Sequence, residues 1–312
     1  MNFRNVNDLN NTILKQLHLI PRDIDLVVGI PRSGMLPANL LALYLNLPYT
    51  DIHSFVNGFI YKSGARKQFF TEKEYKKILV VDDSIASGSA LKECKKELAH
   101  LDSKFDIQYC VIYYTPENKY LADFALEAVP TPRYFQWNIF NHTSLEKACF
   151  DIDGVLCVDP SAEQNDDGVL YQSFLNNAAP LYIPGCKIGT IVTSRLEKYR
   201  PETEAWLSKN GIHYDKLVML DLPDMKARQK ANNHAGYKAN EYKHNKYNLF
   251  VESDLGQAIE INRLTKKPVF CTENFEMIYN NESLLYNLKS GKNFPILKRT
   301  ALKLRDVIRK NR

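Results

Sequence analysis

The sequence predicts an α/β protein of two domains, each a mainly parallel sheet flanked by helices. Its 312 residues are about twice the usual length of one domain. Apolar residues make up 45% of the chain and charged residues 25%, which is enough apolar material for two cores. Short apolar runs also alternate with helical patterns in two successive series. We expect one domain over residues 1–145, a second over residues 146–290 and a basic helix or tail over residues 291–312.

The first series of elements lies between residues 25 and 114. In order, the patterns predict a strand at 25–30, a helix at 37–45, a strand at 77–81, a helix at 90–100 and a strand at 107–114. This alternation is typical of parallel βαβ units. A stretch rich in proline and aromatic residues, 129–138, then interrupts the pattern.

The second series restarts after that stretch. It predicts strands at 147–150, 189–193, 217–220 and 248–251, with helices at 202–210 and 256–264. In open α/β sheets, ligands bind at the carboxyl ends of the strands. We therefore look for functional residues directly after each apolar run.

Composition and charge exclude several classes of protein. The longest apolar runs, such as 40–45, are far shorter than the roughly 20 residues of a membrane span, and residues 1–11 do not resemble a secretion signal. Six cysteines without a CxxC pair argue against a disulfide scaffold or a zinc site, so we expect a cytoplasmic protein. The net charge of +5 is local, because residues 289–312 carry nine Lys or Arg and one Asp. A nucleic-acid partner is therefore not expected.

Two adjacent carboxylates, Asp82 and Asp83, follow the apolar run 77–81 and precede a turn of small residues that opens a helix. Backbone N–H groups in such a turn attract a phosphate, whereas carboxylates suit sugar hydroxyls. Taken alone, the two carboxylates could merely cap the helix. The whole pattern resembles the 5-phosphoribosyl 1-diphosphate motif of type I phosphoribosyltransferases, with Ser87 where that family usually has Thr.

A second match to the same family follows the apolar run 26–30. The resemblance implies that Arg32, Ser33 and Gly34 bind diphosphate, and that Asp82 and Asp83 hold the ribose hydroxyls. It implies a 5′-phosphate cradle made of Ile85, Ala86, Ser87, Gly88 and Ser89. It also implies Mg²⁺ bridging the diphosphate and the ribose.

The segment 58–67 is polar, basic and contains glycine. It occupies the position at which the phosphoribosyltransferase family carries a mobile loop that closes over the diphosphate. By that resemblance, Lys62, Arg66 and Lys67 would contact the substrate. A solvated hairpin tip is the alternative interpretation.

The second series opens with Asp151 and Asp153, followed by Gly154, at the end of an apolar strand. Residues i and i+2 of a strand point to one side, so both carboxylates face one site. One can serve as nucleophile and the other as general acid and base. This pattern resembles the first motif of the haloacid dehalogenase (HAD) superfamily, and the second aspartate favours phosphatase chemistry.

Later motifs of that superfamily follow in order along the chain. Thr193 ends the apolar run 189–193 and matches the second motif, and Glu252 and Asp254 fit the acidic fourth motif. Lys238 is our choice for the lysine of the third motif, with Lys243 and Lys246 as alternatives.

The resemblance implies a role for each of these groups. Asp151 would form an aspartyl-phosphate, and Asp153 would protonate the leaving alcohol and then activate water. Thr193 and Lys238 would neutralise the phosphoryl oxygens. Mg²⁺ would be held by Asp151, by the Asp153 backbone carbonyl, and by Glu252 or Asp254.

The spacing between the first two of these motifs limits the size of any cap. Only 39 residues separate Asp153 from Thr193, too few for a large helical cap. An open site admits a phosphate attached to a bulky group. Residues 193–200 also resemble the second motif of uncapped phosphatases that act on polynucleotide ends, which keeps that substrate as an alternative.

The two resemblances together imply transfer of a 5-phosphoribosyl group from 5-phosphoribosyl 1-diphosphate, followed by removal of its 5-phosphate. Such pairs resemble the bifunctional enzymes that place β-ribofuranose in bacterial polysaccharides. The acceptor implied by that resemblance is a glycan, either free or linked to a lipid. A nucleobase acceptor and a non-catalytic sensor of phosphoribosyl diphosphate are the alternatives. In the segment 130–142, the aromatic residues Tyr134, Phe135 and Trp137 either stack on the acceptor or pack between the domains.

The basic tail carries a helical stripe of apolar residues. Leu297, Ala301, Leu304 and Ile308 are spaced by four, three and four residues and flanked by Lys and Arg. This pattern fits a docked C-terminal helix. It also fits a peripheral contact with an anionic membrane, at the inner face of the membrane.

Overall fold

The computed structural model describes residues 1–61, 75–231, 233–244 and 246–279. Lys62, Arg66 and Lys67 of the basic loop lie outside the described residues, as does the whole apolar stripe of the tail. The chain forms two compact units that divide between Ile139 and Phe140, six residues before the boundary expected from the sequence.

A parallel five-stranded sheet forms the centre of the first unit, in the strand order β3-β2-β4-β5-β6. Its strands are β2 (Leu26–Gly29), β3 (Tyr49–Asp51), β4 (Lys77–Ile85), β5 (Asp106–Tyr114) and β6 (Phe124–Ala128). Its helices are α1 (Val6–Gln16), α2 (Met35–Leu45), α3 (Ile52–Val56) and α4 (Ser89–Leu98). The sheet and its helices form the α/β layers that the first sequence series predicts.

The aromatic stretch 129–138 contains a short strand, although the sequence indicates only an interruption of the pattern there. Residues Arg133–Phe135 form β7, which pairs in parallel with β1 (Asn2–Arg4) in a separate two-stranded sheet. Neither strand is visible as an apolar run, because each has only three residues and a charged side chain at one end.

Both faces of the five-stranded sheet are buried. Val27 and Leu79 pack with α1 and α2 on one face, while Val28 and Val80 pack with α4 on the other. Strands covered on both faces are apolar at nearly every position, which explains the continuous apolar runs in the sequence.

Strand β4 is longer than the apolar run predicts. It continues to Ile85 because the nine-residue β5 supplies partners to its end, with Ser84 opposite Tyr113 and Ile85 opposite Tyr114. Asp82 and Asp83 therefore lie within the strand, near its end. The sequence predicts instead that they follow the strand.

The second unit is built on a six-stranded sheet with the order β10-β9-β8-β11-β12-β13. Its strands are β8 (Ala148–Phe150), β9 (Ile188–Leu196), β10 (Tyr214–Leu220), β11 (Leu249–Glu252), β12 (Val269–Cys271) and β13 (Glu276–Ile278). All neighbours are parallel except β12 and β13. Its helices are α5 (Val169–Asn177), α6 (Arg200–Lys209), α7 (Met225–Ala231), α8 (His234–His244) and α9 (Leu255–Thr265).

The position of β8 brings the motifs of the second unit together. It lies between β9 and β11, so the carboxyl ends of these three parallel strands meet at one edge of the sheet. The connection from β8 to β9 contains one α-helix, α5, and no large cap. Within the described ranges, no helix is long and apolar enough to cross a membrane.

Candidate functional sites

The loop after β2 packs tightly against the end of β4. A Cβ atom on Gly34 would lie 2.5 Å from the carbonyl oxygen of Ile30 and 2.8 Å from that of Val81, so only glycine fits there. From this loop, the Ser33 hydroxyl donates a hydrogen bond to Oδ1 of Asp83 at 2.8 Å. The loop and the carboxylate pair that the sequence singled out therefore adjoin.

Both oxygens of the Asp83 carboxylate accept hydrogen bonds. Oδ2 accepts one from the indole Nε1 of Trp137 at 2.7 Å. The neighbouring Asp82 accepts the backbone N–H of Asp83 at 2.9 Å. Burial, together with the adjacent charge of Asp83, raises the pKa of Asp82 to about 8.

The turn after β4 opens α4. Gly88 caps the helix with a φ of +75°, a backbone conformation that favours glycine. The hydroxyls of Ser87 and Ser89 lie 2.9 Å apart across the turn, and Thr115 donates a hydrogen bond to the carbonyl of Ala86 at 3.3 Å. This ordered turn at a helix N-terminus is the local geometry that a phosphate requires.

Of the three aromatic residues singled out for the acceptor, two are buried. Tyr134 and Phe135 are 1% and 7% exposed, so they belong to the core of the first unit and do not form an acceptor surface. Phe135 stacks on Trp137, with ring centroids 5.0 Å apart. Asn138, one residue further, accepts a hydrogen bond from Arg32 at 3.1 Å. Trp137 and Asn138 are thus the parts of the aromatic segment that adjoin the candidate phosphoribosyl site.

In the second unit, a buried ammonium group lies between two buried carboxylates. Lys238 Nζ is 2.5 Å from Oδ2 of Asp151 and 2.8 Å from Oε2 of Glu252, and it also donates to Gln257 at 3.0 Å. The other two candidate lysines, Lys243 and Lys246, are exposed.

The charges of Asp151, Glu252 and Lys238 act on one another at short distance. Burial raises the pKa of Asp151, to about 7, and Lys238 opposes that rise. Burial disfavours the charged form of Lys238 as well, but the charges of Asp151 and Glu252 outweigh it and raise the pKa of the ammonium group. Lys238 is therefore a fixed cation beside Asp151.

Asp153 forms a second ion pair. Its Oδ1 is 2.6 Å from Nη2 and 3.2 Å from Nε of Arg195, whose side chain is fully buried. Burial lowers the pKa of Arg195, and the charge of Asp153 more than reverses this, so its net pKa is raised. Arg195 was not singled out from the sequence, although its i+2 spacing from Thr193 on β9 places both side chains on one face of the strand.

Thr193 is itself fully buried, and its hydroxyl accepts the backbone N–H of Arg195 at 3.2 Å. Its neighbour Ser194 lines the pocket at this site. Ser194 is therefore a hydroxyl in the same pocket as Asp151 and Asp153 that the motif did not indicate.

The two acidic residues of the fourth motif have different surroundings. Glu252 is fully buried, and its Oε1 accepts the backbone N–H groups of Ser253 and Asp254 at 3.0 and 3.2 Å. Asp254 caps α9 through the N–H of Gln257 at 2.7 Å and lines the pocket. The Ser253 hydroxyl donates to the Asp153 carbonyl at 3.1 Å, which leaves no room for a side chain at Gly154.

A pocket of about 580 Å³, which we call the main pocket, is lined by Asp151, Asp153, Lys238 and Asp254. The fully buried Thr193, Arg195 and Glu252 are not among its wall residues. Its wall includes residues that the sequence did not single out, among them Asp159, Asn165, Tyr171, Arg228 and His234. Among the described residues, no group of three or more His, Cys, Asp or Glu side chains is arranged to hold a metal ion. The main pocket nevertheless combines carboxylates, a buried lysine and one arginine, Arg228, a composition suited to a phosphoryl group.

Comparison with known proteins assigns the first unit. Residues 2–142 match the phosphoribosyl transferase domain family. A phosphoribosyltransferase domain therefore occupies the N-terminal part of the chain.

The curated relatives match only part of their length. The chain is 35% identical over 87 residues to the transcriptional regulator GfcR of Methanocaldococcus jannaschii, covering 26% of this chain and 40% of that protein. It is 28% identical over 92 residues to GfcR of Methanococcoides burtonii, covering 29% and 45%. The chain thus spans less than half the length of these relatives.

Solved structures of phosphoribosyltransferases also align with part of the chain. The xanthine-guanine-hypoxanthine phosphoribosyltransferase of Helicobacter pylori aligns at 22% identity with a TM-score of 0.33, covering 44% of this chain and 92% of that one. A purine phosphoribosyltransferase of Pyrococcus horikoshii aligns at 18% identity with a TM-score of 0.32, covering 44% and 95%.

Proposed function

We propose that the chain is a bifunctional enzyme. It transfers a 5-phosphoribosyl group from 5-phosphoribosyl 1-diphosphate to a glycan hydroxyl and then hydrolyses the 5-phosphate, leaving a β-ribofuranoside. The phosphoribosyltransferase domain over residues 2–142 supports the first step. The observation that carries the second step is Lys238, held between Asp151 and Glu252 beside the Asp153–Arg195 pair.

In the first step, the acceptor oxygen forms a bond to C1 of the ribose as the bond from C1 to diphosphate breaks. The proton of the acceptor hydroxyl passes to water, and diphosphate leaves as an anion. Asp82 and Asp83 bind the ribose hydroxyls, while the Ser33 hydroxyl and the Trp137 indole hold the Asp83 carboxylate in one orientation. The turn at Ser87 and Gly88 receives the 5-phosphate.

In the second step, Asp151 attacks phosphorus and the bond from phosphorus to the sugar oxygen breaks. Asp153 gives that oxygen a proton. It then takes a proton from water, which attacks the aspartyl-phosphate, releases inorganic phosphate and regenerates Asp151. Lys238 neutralises charge next to the nucleophile, and Arg195 fixes the position of the Asp153 carboxylate.

The residues at the second site fit a magnesium ion. Mg²⁺ keeps several waters and needs only one or two carboxylates, so a larger acidic cluster is unnecessary. Asp151, the Asp153 carbonyl and Asp254 would hold it, since Glu252 is satisfied by Lys238 and two backbone N–H groups. A bound Mg²⁺ would supply charge neutralisation at the phosphoryl oxygens. In the first unit, a bound Mg²⁺ would supply positive charge to the leaving diphosphate.

Two other functions remain testable candidates. A nucleobase acceptor, coupled to removal of the nucleotide phosphate, uses the same two sites. A sensor of phosphoribosyl diphosphate is favoured by one observation, namely that both oxygens of Asp83 already accept hydrogen bonds from the protein. The curated relatives named above as transcriptional regulators agree with this candidate.

Mass spectrometry of the products distinguishes these functions. The protein is incubated with 5-phosphoribosyl 1-diphosphate, Mg²⁺ and either oligosaccharide or nucleobase acceptors. We expect diphosphate release and an acceptor heavier by one ribosyl group without phosphate. Products formed only with nucleobases would replace the glycan acceptor, and binding without diphosphate release would favour the sensor.

A further inference from the structure

A second cavity adjoins the main pocket in the same unit. It encloses about 670 Å³ and shares three wall residues with the main pocket, namely Ser194, Arg228 and His234. We call this cavity the side pocket. Its size lies within the usual range for sites that bind small organic molecules, roughly 300–1,000 Å³.

The boundary between the two pockets is ordered by hydrogen bonds. Arg228 donates through Nη2 to Asn165 at 2.9 Å and through Nη1 to the Ser194 carbonyl at 3.4 Å. The His234 ring nitrogen Nδ1 lies 2.9 Å from the Ser194 hydroxyl. Burial, reinforced by the positive charges of Lys238 and Arg228, lowers the pKa of His234, so its ring is neutral at neutral pH.

Beyond this boundary the lining is largely uncharged. Met219, Leu222 and Tyr237 contribute apolar surface, while Asp221, Asn233 and Asn240 contribute hydrogen-bonding groups. The Tyr237 hydroxyl donates to the Met219 carbonyl at 2.6 Å, which fixes the ring as part of the wall.

This lining selects between chemical classes of ligand. Among the described residues of the side pocket, Arg228 at the boundary is the single Lys or Arg side chain. A polyphosphate or a polynucleotide backbone would therefore lie there without countercharges. Amides and a carboxylate next to an aromatic ring suit a neutral ring with hydroxyl groups, because they accept and donate hydrogen bonds while the ring covers an apolar face.

We propose that the side pocket binds the sugar unit attached to C1 of the phosphoribosyl group, while the 5-phosphate lies at Asp151. Arg228 lies between the two parts of the substrate. This inference rests on the proposed phosphatase function and names its substrate class, a ribofuranoside 5-phosphate that carries a further neutral sugar.

Phosphate release from matched substrates tests the proposal. The series is ribose 5-phosphate, methyl β-ribofuranoside 5-phosphate, a β-ribofuranosyl hexoside 5-phosphate, a nucleoside 5′-monophosphate and an end-phosphorylated oligonucleotide. We expect kcat/KM for the hexoside to exceed that for the methyl glycoside by about tenfold or more, since the extra ring makes new contacts.

Two variants of the side pocket make the test specific. Ala231→Trp fills the cavity, and Asn240→Leu removes a hydrogen-bonding group at nearly constant volume. We expect each to reduce the ratio of the two kcat/KM values to about threefold or less. Asn177→Leu, which changes an exposed amide on α5, is the matched control and should keep the full ratio. Circular dichroism confirms that each variant is folded.

The possible results separate the two proposals. Equal kcat/KM for hexoside and methyl glycoside, or a preference for the nucleotide or the oligonucleotide, would overturn the side-pocket assignment. If p-nitrophenyl phosphate and every ester of the series are inert, the phosphatase proposal fails instead. Saturation-transfer NMR with the unphosphorylated hexoside then decides on the side pocket alone. Hexoside signals that are seen with the unaltered protein and disappear with Ala231→Trp support the side-pocket assignment. Hexoside signals that persist with Ala231→Trp, or that are absent with the unaltered protein, overturn this assignment.

Discussion

The indole Nε1 of Trp137 donates a hydrogen bond to Asp83 Oδ2 at 2.7 Å, and so joins the aromatic segment to the carboxylate pair of the first site. The other oxygen of Asp83 is held by Ser33. Hydrogen bonds to charged groups contribute roughly 1.5–3 kcal/mol, about twice the value of neutral ones. Trp137 is therefore a positioning residue for a group that binds ribose in the proposed function.

Replacement of this indole should weaken substrate binding. Trp137→Phe keeps an aromatic ring to stack on Phe135 and removes the donor to Asp83. We expect the Kd for 5-phosphoribosyl 1-diphosphate to rise about tenfold, equivalent to about 1.4 kcal/mol, by isothermal titration calorimetry. Trp206→Phe, in the second unit, is the matched control and should leave this Kd unchanged. An unchanged Kd in Trp137→Phe would show that the hydrogen bond contributes nothing to the complex.

Replacement of both aspartates in the first site should separate the two activities. Asp82→Asn with Asp83→Asn keeps the side-chain volumes but replaces one oxygen of each carboxyl by an NH2 group, which cannot accept a hydrogen bond from a ribose hydroxyl. We expect no detectable diphosphate release, while phosphate release from a model ester continues at the rate of the unaltered protein. Asp102→Asn, at an exposed position of the same unit, is the control for loss of charge alone. Transfer by the double variant at an undiminished rate would refute the ribose-binding role.

The second site should be blocked by the change of one atom. In Asp151→Asn the side chain cannot form an aspartyl-phosphate, yet the first unit is unaltered. We expect the reaction to stop at the 5-phosphorylated product, detected as an additional 80 Da for the phosphate group by mass spectrometry. A product without phosphate would mean that another group performs the hydrolysis.

Lys238 should be important for stability as well as for chemistry. It is 2% exposed and neutralises Asp151 and Glu252, so Lys238→Met would leave two buried carboxylates without a cation. Breaking a buried ion pair in this way costs about 3–5 kcal/mol of unfolding free energy. Denaturant unfolding of the second unit, followed by Trp206 fluorescence in a Trp137→Phe background, measures this loss. Lys243→Met removes an exposed lysine of the same helix and should change the unfolding free energy little. An equal loss of unfolding free energy in both variants would contradict the role of the buried ion pairs of Lys238.

The sequence predicts the motifs better than the contacts between them. Asp151 and Asp153 could be found because a strand, an i+2 spacing and a glycine occur together within a few residues. The partner of Asp153 could not, because Arg195 lies on another strand and only the order of the sheet brings them together. The same holds for Trp137 and Asp83, which are 54 residues apart.

Strand lengths show the same division between local and tertiary information. The apolar run predicts β4 only to residue 81, because the following positions are acidic and polar. The strand continues to Ile85 since β5 offers backbone partners there. Short strands such as β3, with three residues, are fixed by a parallel neighbour and leave no periodic signal of their own.

Asp51 gives a prediction about pH and stability. It caps α3, where its carboxylate accepts the backbone N–H of Ser54 at 3.0 Å, the Ser54 hydroxyl at 2.7 Å and the Tyr61 hydroxyl at 2.6 Å. Burial raises the pKa of Asp51, but these hydrogen bonds outweigh burial and lower it to about 2. A carboxyl whose pKa is lower in the folded state than in the unfolded state stabilises the fold above its ordinary pKa of 3.8, and this stabilisation is lost as the pH falls from there toward 2.

We therefore expect Asp51→Ala to lower the unfolding free energy of the first unit by about 1 kcal/mol at pH 7, as for other helix caps. The difference from the unaltered protein should shrink between pH 4 and pH 3, because the cap is then partly protonated in the unfolded state. Urea unfolding followed by Trp137 fluorescence in a Trp206→Phe background measures the first unit by itself. Asp51→Asn can cap α3 without a charge. It should therefore lower the unfolding free energy less than Asp51→Ala does at pH 7, and position 51 should then add no pH dependence to this free energy between pH 4 and pH 3. A difference for Asp51→Ala that stays constant from pH 7 to pH 3 would show that the charge of Asp51 plays no part in the cap.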